Sequence, residues 1–342
     1  MNPPKKILVI RNDKLGDFML AWPAFSLLKQ QYPNTEITAL VPEYTALMAG
    51  QCPWIDKVLI DTREASFFKN INKLTRQIRP QHYDMAICFY LETRTALALW
   101  LAGVKLRVGP ATRLAQIYLN RTLTQRRSRS IKPEFEYNID LARYAIKLLH
   151  DKPVELQQPP FLTFDKKDTD AVKDRLFKDY SLADDVKFVI IHPGSGGSAI
   201  NLSVEQYAEL ALAITQNHGV YIIITAGPGE QASAEALSER LKNCKHHIHY
   251  STNGIIDFCK LISLCYVFIS GSTGPLHIAG ALNVRTAAFY PARRSATSLR
   301  WQTLNSADRR LAFYPKKYTG PDDMKQIDVL ESAKEIIARF IL

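Results

Sequence analysis

A single rhythm constrains this chain more than any other feature. A short apolar run of strand length is followed by a turn of Gly or small polar residues, then by a helix-length segment, and the unit repeats along the sequence. The strand-like runs in the first half are 6–10, 36–41, 57–60, 84–89 and 105–108. Between them, 16–31 sets Phe18, Trp22, Phe25 and Leu28 near helical spacing, 92–102 is a helix stopped by Gly103, and 134–150 is helical again. The segment 151–165 then carries Pro153, Pro159 and Pro160 and reads as a linker. The rhythm restarts with helix 169–178, strand 187–192, helix 203–217, strand 220–225, helix 230–242, strand 247–250, helix 255–264, strand 266–270, helix 275–282 and strand 286–290. Strands alternating with helices imply an α/β chain with mainly parallel sheets covered on both faces. At roughly 150 residues per domain, 342 residues make two such domains. We expect two doubly wound, Rossmann-like domains, 1–160 and 161–327. The amphipathic tail 328–342 is expected to be a helix that packs back on the first domain.

Composition removes other classes. Hydrophobic residues are 46% and charged residues 23%, ordinary for a globular chain and unlike a disordered, collagenous or disulfide-dense one. No apolar run approaches the roughly 18 residues that span a bilayer, and no signal-peptide pattern precedes the first strand-like run. A cytoplasmic protein is the expectation. The five cysteines, at 52, 88, 244, 259 and 265, form no CxxC pair, and three sit in apolar segments, so buried free thiols are expected. His246, His247 and His249 suggest a metal tract, but no acidic or cysteine partner stands at ligand spacing, and no metal site is expected.

Charge narrows the partners. Lys and Arg number 44 against 33 Asp and Glu, a formal net charge of +11, which favours anionic partners. The excess is uneven. Residues 93–133 hold no acid but contain Arg94, Lys105, Arg107, Arg113, Arg121, Arg126, Arg127, Arg129 and Lys132. This stretch is either a solvated loop or a docking face for an acidic acceptor or membrane. Nucleic acid is the weaker partner, because no zinc-finger, KH or RRM pattern occurs and few aromatics interleave the basic run.

Four turns after strands can carry chemistry. Arg11-Asn-Asp-Lys-Leu-Gly-Asp17 follows the first strand, where a parallel sheet opens its ligand crevice. Gly16 allows close backbone approach. Asp17 falls in the first turn of a helix, where it either complements the dipole or faces a ligand. Neither GxGxxG nor GxxxxGK[ST] occurs. The second turn, His192-Pro-Gly-Ser-Gly-Gly-Ser198, offers the backbone amides of Gly194 and Gly196 and the Ser195 hydroxyl, either as a plain turn or as a phosphate cradle. In the third, Ser272-Thr-Gly-Pro-Leu-His277, Ser272 or Thr273 can cap a helix with Pro275 in its first turn, leaving an anion-attracting helix start beside His277. The fourth, Ala226-Gly-Pro-Gly-Glu230, sets Glu230 either as a helix-start residue or as a ribose ligand.

Together these motifs resemble glycosyltransferase family 9, the ADP-heptose:lipopolysaccharide heptosyltransferases. The Arg11–Asp17 turn is followed by Ala21-Trp-Pro-Ala-Phe25, close to the family's xxPAL, and the His192-Pro-Gly-Ser195 and Ser272–His277 motifs occur in the family's order across nearly the whole chain. The resemblance implies a GT-B fold, two Rossmann-like domains facing a cleft, and an inverting transfer from a nucleotide diphospho-sugar. It implies Asp17 as general base, with Arg11, Lys14 and Gly16 on the acceptor side. Gly194, Ser195, Gly196, Ser272, Thr273, Gly274 and His277 are implied at the donor phosphates. Glu230 and Asn253, in the turn 251–254, are implied at the nucleoside. The sequence departs from the family in two places: Ala199-Ile200 stand where many members carry Lys, and Ser272 stands where heptosyltransferases carry Asp. Arg293, Arg294 or Arg300 is a candidate to supply the missing charge.

The resemblance also implies a partner, an anionic lipopolysaccharide core held at the cytoplasmic face of the inner membrane, with peripheral membrane contact by the basic stretch 93–133. The donor is a substrate, and no cofactor is implied. No Asp-x-Asp lies near the motifs, so metal independence is expected. A relative using another nucleotide sugar or acceptor, and a non-catalytic nucleotide-sugar-binding protein, remain as alternatives.

Overall fold

The computed structural model describes residues 3–64, 66–111, 114–183, 186–197, 199–216, 218–320 and 323–342. Ser198, Arg113 and the helix end at Asn217 lie outside the described residues. The chain divides into two compact units, Met1–Gln158 and Pro159–Leu342, with the boundary inside the Pro-rich segment.

The first unit contains β1 (Lys6–Ile10), α1 (Leu15–Met19), α2 (Trp22–Gln31), β2 (Glu36–Val41), α3 (Glu43–Ala49), β3 (Lys57–Ile60), α4 (Phe67–Ile78), β4 (Met85–Cys88), α5 (Thr93–Leu101), β5 (Leu106–Pro110), β6 (Arg121–Leu123) and α6 (Glu134–Leu148). Its six strands are parallel in the order β3-β2-β1-β4-β5-β6. The order reverses between β1 and β4. The loops leaving these two strands therefore diverge and open a crevice at their carboxyl ends. On one face of the sheet, Leu8, Ile10 and Leu40 meet Leu74 and Ile78 of α4 and Leu99 of α5. Elsewhere in this unit, α2 packs against α6.

The helix expected over 16–31 is two helices, α1 and α2, separated at Leu20 and Ala21. Pro23 in the first turn of α2 is the cause. It has no N–H to offer the carbonyl four residues back, and its ring crowds that carbonyl.

The second unit contains α7 (Lys166–Asp179), β7 (Phe188–His192), α8 (Val204–Thr215), β8 (Tyr221–Ala226), α9 (Gln231–Arg240), β9 (His246–Tyr250), α10 (Ile255–Leu264), β10 (Val267–Gly271), α11 (Gly274–Ala281), β11 (Thr286–Phe289), β12 (Arg310–Phe313) and α12 (Val329–Ile336). Its six strands are also parallel, in the order β12-β11-β10-β7-β8-β9, with the reversal between β7 and β10. Val189, Ile191, Ile222 and Ile224 share a core with Tyr207 and Leu210 of α8. The tail, expected against the first domain, buries Val329, Ala333 and Ile336 in this same core, with α12 packed on α8.

All five cysteines are free, and four are buried. On the edge strand β9, His246 is held by Ser238 and the Cys244 carbonyl, His247 stacks on Tyr180, and His249 is hydrogen-bonded to the Tyr180 hydroxyl. Among the described residues no three His, Cys, Asp or Glu side chains are grouped to hold a metal, and no helix is long and apolar enough to cross a membrane.

Candidate active site

In the first unit the turn after β1 is fixed from two sides. The Asn12 amide donates to Asp61 Oδ2 at 2.6 Å, and Asp61, just past β3, is gripped by Arg94 of α5 at 2.7 and 2.5 Å. The neighbouring Arg11 side chain is buried in another direction and is surrounded by acceptors. Its Nε lies 3.0 Å from Asp13, one terminal nitrogen donates to Glu134 at 3.0 Å and to Asn138 at 3.3 Å, and the other donates to Asp17 Oδ1. Arg127 adds a second cation, donating to Glu134 at 2.7 Å and to the Phe89 carbonyl at 2.9 Å. Asp17 stands in the first turn of α1, and its side chain is only 15% exposed. Among the described residues no partner holds its Oδ2.

Three carboxylates thus share two guanidinium groups in a poorly solvated place. Burial pushes the Asp13 carboxyl up to about 8, against the pull of Arg11. Burial raises Asp17 as well, again opposed by Arg11. Arg11 stays a cation: burial works against its charge, but Asp13, Asp17 and Glu134 outweigh it.

Arg11, expected on the acceptor side, is therefore an internal post that fixes Asp17, while Lys14 is exposed and Gly16 half-buried. Other members of the basic stretch also turn inward. Arg94 and Arg127 are ion-paired, Arg107 donates to the carbonyls of Tyr118 and Val104, and Lys132 pairs with Asp140. Lys105, Arg121, Arg126 and Arg129 are exposed.

In the second unit the turns after β7, β8 and β10 gather at the sheet's reversal. Glu230 joins two of them. Its Oε1 accepts from the Gly196 amide and its Oε2 from the Gly227 amide, both at 2.9 Å, and His192 Nε2 is 3.4 Å from Oε2. Glu230, expected at the nucleoside, braces the Gly-rich turn here, and the Gly196 amide, expected at a phosphate, is engaged by it. Asn201 was not anticipated. Its amide donates to the Pro193 carbonyl at 2.8 Å, and its Oδ1 accepts from Tyr207 at 2.5 Å. Gly271 is needed opposite it, since a Cβ there would meet Asn201 Oδ1 at 2.4 Å.

Thr273 occupies the N-cap position of α11 without bonding the helix through its side chain. Thr273 Oγ1 and His277 Nδ1 are both buried and have no hydrogen-bond partner among the described residues. Two orphaned polar atoms at a helix start are costly unless a ligand completes them. Burial takes His277 down to about 4, so it is neutral at physiological pH. Gly274 opens α11, and Ser272 and Ser195 are half-buried nearby in the two turns. The Trp301 ring lies 6.4 Å from the His277 ring, and the buried Arg300 stacks on Trp301 at 5.6 Å, whereas Arg293 and Arg294 are exposed. Asn253 is exposed in the turn before α10.

Fold and site together define an enzyme-like α/β protein: one unit presents a fixed, basic carboxylate, the other a helix start with unfilled hydrogen-bonding groups. Residues 71–311 match the model of glycosyltransferase family 9 (heptosyltransferase). A Haemophilus influenzae protein named "Putative glycosyltransferase" is 42% identical over 311 residues, covering 91% of this chain and 89% of that protein. The lipooligosaccharide heptosyltransferase 2 of the same organism is 25% identical over 290 residues, covering 83% of this chain and 82% of its own. The solved Escherichia coli ADP-heptose LPS heptosyltransferase II superposes with a TM-score of 0.77 at 20% identity, covering 97% of this chain and 98% of that one. The chain belongs to glycosyltransferase family 9 and has the GT-B fold.

Proposed function

We propose that the chain transfers a sugar, heptose as the leading candidate, from a nucleotide diphospho-sugar of the ADP-heptose type to a lipopolysaccharide-core acceptor, with inversion and without a metal. One observation carries the mechanism: Asp17 is largely shielded, fixed through Oδ1 by Arg11, and has Oδ2 unengaged among the described residues. Burial raises its proton affinity above that of an ordinary carboxylate of about 4, which suits a general base. Asp17 accepts the proton of an acceptor hydroxyl while that oxygen bonds to the anomeric carbon and the bond to the diphosphate breaks. Charge develops on the leaving diphosphate. The first-turn amides of α11, Thr273 and neutral His277 are preorganised donors for it. Ser195, Ser272 and Gly274 fit the same end of the donor, with Gly194 leaving room for the Glu230 carboxylate that braces the turn. Glu230 and Asn253 fit the nucleoside end once Glu230 exchanges its backbone partners.

Heptose and the lipopolysaccharide core are supported by the names of relatives at about a quarter identity, and by the anion-favouring net charge of +11. A cytoplasmic enzyme touching the membrane peripherally is consistent with that acceptor. A second reading, a family relative with another donor sugar or acceptor, is favoured by Ala199-Ile200 and Ser272 at positions where heptosyltransferases carry Lys and Asp.

The deciding experiment is thermal-shift binding of ADP, UDP, GDP and their diphospho-sugars, followed by transfer assays with and without EDTA. A selective ADP-heptose shift and turnover that survives EDTA support the proposal. A UDP or GDP preference overturns the donor, and activity lost in EDTA but restored by magnesium overturns the metal-free mechanism.

A further inference from the structure

We propose that the Tyr44 ring is a platform on which a sugar ring of the acceptor stacks, beside the carboxylate that takes its proton. Such a platform rests on the transfer reaction above and deepens it, because the acceptor is defined there only by the hydroxyl it gives up.

In the sheet β2 pairs with β1 in parallel, so the loops leaving the two strands lie at the same edge. The loop after β1 carries Asp17, and the loop after β2 runs into α3, which packs beside α1. Tyr44 stands in the first turn of α3. Its hydroxyl donates at 2.5 Å to the Asp13 carbonyl, within the turn that bears the base. The tip of the side chain is therefore tied down, yet the residue is 62% exposed. Leu47, one helical turn on, is 64% exposed, while Thr45 and Met48 take the buried side of the helix. A space-filling tyrosine buries its ring and keeps its hydroxyl near water, and here the arrangement is reversed. Holding an exposed ring still costs side-chain entropy that no packing returns. A large flat face already fixed in place is preorganised for a ligand.

The surroundings select the ligand. Partial burial, then the carboxyls of Asp13 and Asp17, raise the phenol above its ordinary value, with Arg63 opposing, so these groups stand near its oxygen. Glu43, next to Tyr44 in sequence, and Lys14, next to Asp13, are exposed. A purely apolar partner would strand these polar and charged groups. An anionic surface would bring its charge against Asp17 and Glu43. A sugar suits both halves of the site: its C–H face lies on the ring, and its hydroxyl rim reaches the carboxylates and cations. Asn12 belongs to the same turn, and its Oδ1 is buried without a hydrogen-bond partner among the described residues, an acceptor that a sugar hydroxyl would complete. Stacking fixes the plane of the acceptor ring, so that Asp17 meets one hydroxyl rather than any of them.

Initial rates of the full chain are measured with ADP-heptose and deacylated lipopolysaccharide inner-core oligosaccharide. Oligosaccharide binding is read by saturation-transfer NMR, and donor binding by thermal shift with ADP-heptose. We expect Tyr44→Ala to raise the acceptor KM by about tenfold, with kcat and the donor KM within about twofold of wild type. Tyr44→Phe keeps the ring and loses only the hydrogen bond, so its acceptor KM should stay within about threefold. Saturation should pass to the oligosaccharide from the wild type and Tyr44→Phe, and much less from Tyr44→Ala. Unfolding temperatures should stay near the wild-type value because the ring is exposed. A wild-type acceptor KM in Tyr44→Ala overturns the proposal. So does a fall in kcat shared by both variants at unchanged KM, which would make Tyr44 a brace for the base-bearing turn. Absence of oligosaccharide binding to the wild type beside a normal donor shift overturns the platform and leaves the donor reading in place. Oligosaccharide binding that Tyr44→Ala weakens, without any donor shift, supports the platform and overturns the transferase reading.

Discussion

A Cβ built on Gly194 would lie 2.2 Å from the carboxyl carbon of Glu230. The glycine is therefore required by a neighbour, since the Glu230 carboxylate fills the space a side chain would need while it accepts from the Gly196 and Gly227 amides. Gly194→Ala must push the carboxylate away and break both bonds. We expect a cost of about 1–3 kcal/mol and at least about a tenfold loss of donor-nucleotide affinity. In a Glu230→Ala background the same substitution should cost little further, because the obstacle is gone. Calorimetric titration of the single and double variants measures the coupling.

Asp17 is the next test. Asp17→Asn keeps its size but cannot accept a proton, and kcat should fall by about two orders of magnitude or more with little change in KM. Because burial raises the Asp17 carboxyl, the acid limb of the wild-type rate profile should lie above the ordinary carboxylate range. An Asp17→Asn rate near that of wild type rejects it as the base.

Glu134 lies 117 residues beyond Asp17 in sequence, yet both bind the same guanidinium. Removing its charge leaves Arg11 and Arg127 facing a buried neutral group. Glu134→Gln should lower the stability of the first unit by about 3 kcal/mol, the usual effect of breaking a buried ion pair from one side. Urea unfolding followed by a probe in that unit measures it. A loss within about 0.5 kcal/mol would mean that the other acceptors around Arg11 suffice.

The contrast between Asp17 and Glu134 explains what was legible in the sequence. Turns after buried strands are local: Arg11–Asp17, His192–Ser195 and Ser272–His277 each follow a strand whose apolar run is visible, so their position at the carboxyl edge follows from the rhythm alone. Partners from elsewhere in the chain are not local. Glu134 and Arg127 act through contacts to Arg11 and to the Phe89 carbonyl that only the folded strand order creates, while Asn201 braces the Pro193 carbonyl within its own loop, where no sequence pattern marks it. Arg11 shows the converse case: the resemblance implies it on the acceptor side, and the structure sets its guanidinium inside, against Asp13, Asp17 and Glu134. The edge strands β6 and β12 were missed because each is short and begins with Arg, and pairing with a neighbour rather than composition makes them strands. The helix α4 does carry a sequence signal, Ile71, Leu74, Thr75 and Ile78 at helical spacing behind the Ser66 cap.

Asp13 gives the pH prediction. Its carboxyl is raised from 3.8 to about 8 in the folded protein, first by burial and then by Asp17 and Glu134 against the pull of Arg11. Below about pH 4 the group is protonated whether the chain is folded or not, so it contributes no pH dependence. Between about 4 and 8 the unfolded chain releases this proton while the folded protein keeps it. The folded state then binds more protons, and stability falls as pH rises across that window. Above about 8 both forms are ionised and the slope from this group vanishes. Asp13→Asn cannot titrate, so its unfolding free energy should fall less steeply than that of the wild type between pH 5 and 8, and run parallel to it above that. Unfolding curves at matched pH values for the two proteins measure the difference in slope. Parallel lines throughout would mean that Asp13 is already ionised at acidic pH and that Arg11 outweighs burial.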